Sequence, residues 1–198
     1  FKYLQTGLQQ KDWFFLSLGI TALAATFSRA SFLALLVGLT ILNIFKLRLA
    51  FSIILLTYFS LVLFFLPKIG GEGVNLERTS TIEYRFENYK ESLNIFKKSP
   101  LFGIGFNFYG NQKINISNLS HSKNGADSSL LFILATTGVI GLLAYLNLLQ
   151  KIIFLKHPLI LASTVSILVH SMFHNTLFYP WVLGWWFALI AALTVKRN

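Results

Sequence analysis

PKIGGEGVNLERTSTIEYRFENYKESLNIFKKSPLFGIGFNFYGNQKINISNLSHSKNGAD, residues 67–127, is a long polar stretch in a chain that is otherwise strongly apolar. It carries eight basic and six acidic side chains. The runs around it, Trp13–Ser28, Ala30–Phe45, Leu49–Leu66, Ser128–Gln150 and Pro158–Val195, carry no Asp, Glu, Lys or Arg. A bilayer core of ~30 Å is crossed by about 20 apolar helical residues, so these runs have spanning length singly or in pairs. Composition agrees: the 198 residues are 55% hydrophobic, 16% aromatic and only 12% charged, where a soluble domain is roughly a quarter charged. The expected fold is an all-α membrane protein with one large, partly helical loop.

The span count follows from length. Trp13–Phe45 contains one charge, Arg29, and as a single helix would run ~50 Å, so a hairpin turning at Ser28-Arg29 is expected. Pro158–Val195 is also too long, and it is interrupted by His170–Asn175 and Tyr179-Pro180-Trp181, which predicts a turn near Asn175–Pro180. About six transmembrane helices result: three in residues 1–66, the loop at 67–127, and three in residues 128–198. The chain begins with Phe, and we expect it to be the C-terminal half of a longer protein.

Charge sets the orientation. Lys2, Lys11, Lys46, Arg48, Lys151, Lys156, Lys196 and Arg197 sit in short connectors or at the ends, the pattern of cytoplasmic segments under the positive-inside rule. The Arg29 turn, the long loop and residues 170–181 then share the opposite, non-cytoplasmic face. The net charge of +10 therefore reports topology, and nucleic acid is not an expected partner. The absence of cysteine excludes a disulfide framework and thiolate chemistry.

Within the loop, Thr79 or Ser80 can cap a helix running to about Lys98, whose residues Ile82, Phe86, Tyr89, Leu93 and Phe96 form one stripe predicted to be buried. Arg85 borders that stripe. Ser99-Pro100 ends the helix, and Gly103 and Gly105 permit a tight backbone path. Residues 111–125 are rich in Asn and Ser, and the sequons at Asn115 and Asn118 are short matches.

Few side chains carry chemistry. Arg29, between two apolar helices, is costly unless it faces water or an anion, although a snorkelling interfacial arginine reads the same way. Arg85 offers a planar fork of donors suited to phosphate oxygens, or a partner for Glu83 or Glu87. Asp127 opens the fourth span, where a carboxylate caps a helix and could also act as a general base; His121 is the alternative base. His170 and His174, four residues apart, point to hydrogen bonding or packing within the bundle rather than to a metal site.

The order of landmarks resembles a known family. Thr26-Phe27-Ser28-Arg29 closes a membrane helix. A large loop follows with Arg85 on a helix and Pro-Leu-Phe-Gly-Ile-Gly at Pro100–Gly105. A polar residue then opens a span carrying Gly-Val-Ile-Gly-Leu at Gly138–Leu142. From about Leu23 to Leu149 the chain is similar to the O-antigen ligase/polymerase family of bacterial envelope glycosyltransferases. The resemblance implies glycan transfer from a polyprenyl-diphosphate-linked donor to a lipid-linked acceptor at the periplasmic face of the inner membrane. No metal or cofactor is implied. It also implies that Arg29 and Arg85 hold the donor diphosphate. Family ligases carry a histidine just before the span after the loop; Asp127-Ser128 stands there instead, which favours a repeat-unit polymerase. A ligase acting on a lipid core or protein is the nearest alternative. The alternative of another class, a transporter with a lid loop, is disfavoured by spans nearly devoid of ionisable residues.

Overall fold

The computed structural model describes residues 9–45, 49–67, 70–71, 74–76, 79–113 and 125–195. His121, both sequons, Arg78 and the cations Lys2, Lys46, Arg48, Lys196 and Arg197 lie outside the described residues. Among the described residues the regular structure is entirely helical. The helices are α1 Gln10–Ala25, α2 Arg29–Ile44, α3 Leu49–Phe65, α4 Ser80–Phe96, α5 Ser129–Ile153, α6 Pro158–Ser171 and α7 Pro180–Val195. One of them, α5, is long and apolar enough to cross a membrane by itself; α2, α3, α6 and α7 are apolar but shorter.

The expected hairpin forms at Ser28-Arg29. Helix α1 stops at Ala25, Phe27 turns the chain with φ 46°, and the Ser28 Oγ accepts from the Ser31 amide at 3.3 Å to cap α2. Arg29 is thus the first residue of α2. Helices α2 and α6 run antiparallel in the most extensive helix contact. Small residues make the approach possible: Ala34 and Gly38 on α2 face Ala162 and Ser166 on α6. The Ser166 Oγ donates to the Ala34 carbonyl at 2.9 Å, and a Cβ at Gly38 would come within 2.6 Å of that hydroxyl oxygen. Lipid tails are as apolar as Leu, so close backbone approach and hydrogen bonds hold such helices together. Large apolar side chains point outward instead: Phe64 is 79% exposed, Trp181 71% and Trp185 60%. Soluble monomers seldom present apolar surface on that scale.

Helix α5 is broken. Gly138 has φ 68° and ψ −168°, which no helix contains. The break frees the carbonyls of Ala135 and Thr136 and the amides of Val139 and Ile140. Residues Pro100–Gly105 supply all four partners. Ile104 N donates to Ala135 O at 3.0 Å and Gly105 N to Thr136 O at 2.9 Å. Val139 N donates to Pro100 O at 2.9 Å and Ile140 N to Leu101 O at 3.3 Å. A Cβ at Gly138 would collide with the Leu101 carbonyl, and one at Gly103 with the Thr136–Thr137 peptide. The two glycine motifs of the sequence are therefore the two halves of one joint.

Helix α4 spans much of the expected range, but it presents a different face. The stripe predicted to be buried is largely exposed: Ile82, Phe86 and Leu93 are 42%, 68% and 41% accessible. Asn88, Ser92 and Ile95 are buried in its place. The reason is hydrogen bonding. The Asn88 Oδ1 accepts from the Asp127 amide at 2.9 Å, and the Ser92 hydroxyl lies 2.6 Å from the Tyr109 hydroxyl. Ser92 already donates to the Asn88 carbonyl at 2.7 Å, so the phenol donates to Ser92. Beneath this face Ile95, Tyr109, Ala126, Phe132 and Ala135 form a core, with Phe132 in edge contact with Phe106, Tyr109 and Phe178.

Replacing Gly138 by Ala should cost about 3 kcal/mol or more, because backbone strain adds to a collision with an immovable carbonyl. Thermal unfolding of the purified membrane protein reads this as a lowered midpoint or as loss of folded material, with Gly19→Ala, where nothing lies near a Cβ, as the control.

Candidate functional site

The inward face of α4, the start of α5 and the turn between α6 and α7 meet at one place. From α4 come Arg85, Asn88 and Tyr89. Arg85 is half-buried; its Nη2 donates to the His174 Nε2 at 3.4 Å, and its guanidinium lies 5.8 Å from the Phe173 ring centre. A guanidinium can only donate, so the His174 Nε2 is unprotonated in this contact. The Tyr89 hydroxyl donates to the Met172 carbonyl at 2.5 Å. Helix and turn are thus stitched together on both sides of Phe173.

The start of α5 provides Asp127, Ser128 and Ser129. Ser128, rather than Asp127, is the N-cap, its Oγ accepting from Leu131 N at 3.5 Å. Asp127 is half-buried, and its amide is held by Asn88. The Ser129 Oγ donates to the His174 carbonyl and accepts from the Leu177 amide, both at 3.2 Å. Its hydroxyl therefore fixes the backbone on either side of Asn175.

The two histidines link this cluster to α2. Their rings stack with centroids 4.9 Å apart and 17° between planes. His170 bonds Thr176 Oγ1 through Nδ1 at 2.6 Å and Ser31 Oγ through Nε2 at 3.2 Å. Ser31 is two residues beyond Arg29, whose Nη1 donates to the Leu76 carbonyl at 3.3 Å. A continuous path therefore runs from Arg85 through His174, His170 and Ser31 to the turn of helix that carries Arg29. Alongside α2 and α6 a groove of ≈ 550 Å³, lined by residues such as Leu35, Leu39, Leu42 and Ile167, ends at Ser31, His170 and Thr176.

The electrostatics are those of a half-buried polar site. Burial raises the Tyr89 pKa; Arg85 pulls it down and Asp127 pushes it up, which places both charges within reach of the phenol. Tyr109 is pushed up to about 12 by burial, partly offset by its bond to Ser92. Lys113 is buried, pairs with Glu91 at 3.9 Å and lies 5.7 Å from the Tyr109 ring centre. Burial lowers its pKa, against the pull of Glu91 and Asp127. Burial, and then Arg85, hold His174 below the ordinary histidine value.

Of the four residues expected from sequence to bind diphosphate or act as base, Arg29, Arg85, Asp127 and His121, the fold brings Arg85 and Asp127 to one cluster and ties Arg29 to it through α2. His121 lies outside the described residues. Sequence reasoning missed Asn88, Tyr89 and Lys113, whose roles depend on which face of α4 turns inward. The spacing of His170 and His174 was the available signal for their contact.

The sequence profile of the family described as O-antigen ligase matches residues 14–146. The chain belongs to the O-antigen ligase family. Members are integral inner-membrane, glycosyltransferase-like enzymes of polysaccharide synthesis that act on lipid-linked glycans. The match covers the hairpin of α1 and α2, the Arg85 helix, Asp127 and the Gly103–Gly138 joint. No curated protein and no solved structure matches the chain.

Asn88→Ala should leave the Asp127 amide without its partner at a cost of about 1–3 kcal/mol. Hydrogen exchange at residues 126–129 should accelerate while exchange in α1–α3 stays unchanged.

Proposed function

We propose that the chain belongs to a membrane enzyme that polymerises polyprenyl-diphosphate-linked oligosaccharide repeat units. Three connections would then share the periplasmic side of about six spans: the Arg29 turn, the long loop of residues 67–127 and residues 170–181. The observation that carries the reading is the presence of Arg85 and Asp127 in one half-buried cluster, to which the α2 turn of Arg29 is linked through Ser31, His170 and His174, together with the family match.

Arg29 and Arg85 hold the donor diphosphate. An acceptor sugar hydroxyl attacks the anomeric carbon of the donor glycan, and the bond from that carbon to the diphosphate oxygen breaks. The electron pair leaves with polyprenyl diphosphate, whose growing charge the two guanidinium groups stabilise. The hydroxyl proton passes to the Asp127 carboxylate, or to His121. The large exposed apolar side chains of α3 and α7 face lipid, and Lys11, Lys151 and Lys156 lie on the cytoplasmic side.

Asp127-Ser128, in the place where family ligases carry histidine, supports a polymerase. The family description itself favours the second reading, a ligase moving finished glycan to a lipid core or protein. In the full chain, Arg29→Ala and Arg85→Ala should each remove surface polymer without loss of membrane-inserted protein, and normal polymer in both would sink the reading. In a strain lacking the gene, single-repeat glycan still attached to its acceptor indicates a polymerase, and long chains left on the carrier indicate a ligase.

A further inference from the structure

The contact between Arg85 and His174 has a chemical logic of its own. An arginine side chain has considerable rotamer freedom to lose, so a guanidinium that must meet a phosphate oxygen in the transition state works best when it is already held. The holder must be an acceptor. A carboxylate would serve, but it would also neutralise the charge that the substrate is meant to meet. A neutral imidazole accepts the bond and leaves the positive charge uncompensated.

His174 is built into place for such a role. Its carbonyl is pinned by Ser129, its ring stacks on His170, and His170 is itself fixed by Thr176 and Ser31. The preceding residue, Phe173, lies under the guanidinium, and Met172 anchors Tyr89 one helical turn further along α4. The charged and titratable groups around the ring are Arg85 and Tyr89 from α4, His170 from α6, and Asp127 at the mouth of α5, which acts on Tyr89. None of them is a carboxylate bonded to Arg85 among the described contacts.

Resting on the diphosphate reading of Arg85, we propose that His174 is a positioning residue for that arginine. It is a neutral acceptor that aims the guanidinium without cancelling its charge, and through His170 and Ser31 it sets Arg85 in register with the helix turn bearing Arg29.

The inference has a pH consequence. Protonated His174 can no longer accept from Arg85 and repels it. Since the histidine pKa lies below 6.5 in the folded protein, the contact is present above that value and is lost as pH falls through the lowered one.

The test measures glycan transfer by the full chain in membrane vesicles with a polyprenyl-diphosphate-linked donor. His174→Ala should lose roughly tenfold or more in turnover, the worth of an aimed charge-assisted bond. His174→Gln, whose amide oxygen accepts the same bond without charge, should restore most of it. It should also lack the part of the acid fall-off that belongs to His174. In an Arg85→Ala background, His174→Ala should add no further loss. If His174→Ala does not reach the membrane, His174→Leu compared with His174→Gln makes the same distinction at similar volume. Wild-type turnover in His174→Ala, or equal loss in the alanine and glutamine variants, overturns the inference while leaving the diphosphate reading intact. That reading fails separately if Arg85→Ala itself transfers normally.

Discussion

The break at Gly138 is the constraint on which the rest of the site depends. A helix in apolar surroundings cannot leave two carbonyls and two amides unpaired, since each orphaned group costs several kcal/mol where water is excluded. Pro100–Gly105 pairs all four, and it can approach so closely only because Gly103 and Gly138 lack a Cβ. The strap and the helix are each incomplete alone. Their union fixes the middle of the polar loop against α5, and with it the placement of α4, which immediately precedes the strap.

Once the strap is anchored, aromatic packing decides the orientation of α4. Phe132 on α5 gathers Phe106, Tyr109 and Phe178 around it, which brings Tyr109 opposite Ser92. Asn88 then lies opposite the Asp127 amide and Arg85 opposite His174. A polar face with three good partners turns inward in place of the apolar stripe. The same rotation puts Arg85 against His174 and brings both Arg85 and Asp127 within reach of the Tyr89 phenol.

The α2–α6 contact performs the complementary task. Its small residues let the two helices approach until Ser31 reaches His170, joining the Arg29 turn to the α6–α7 turn. Two arginines far apart in the chain, Arg29 and Arg85, are thereby carried on one framework of hydrogen-bonded and stacked side chains.

By itself the sequence determined the helical class, the hairpin at Ser28-Arg29, the turn before Pro180, the position of α4 and its arginine, and the family. These rest on hydropathy, caps, prolines and motif order, all of which act over a few residues. It also offered both glycine motifs, but as a turn and a helix segment, because backbone pairing between residues 100–105 and 135–140 has no local signature. The buried face of α4 was misread for a related reason: apolar periodicity takes no account of hydrogen-bond partners distant in sequence, and here those of Asn88 and Ser92 decide which face turns inward. Only the tertiary structure could turn Asn88 and Ser92 inward, make Ser128 rather than Asp127 the cap of α5, and stack His174 beside Arg85, since each outcome depends on partners that the chain brings together only when folded.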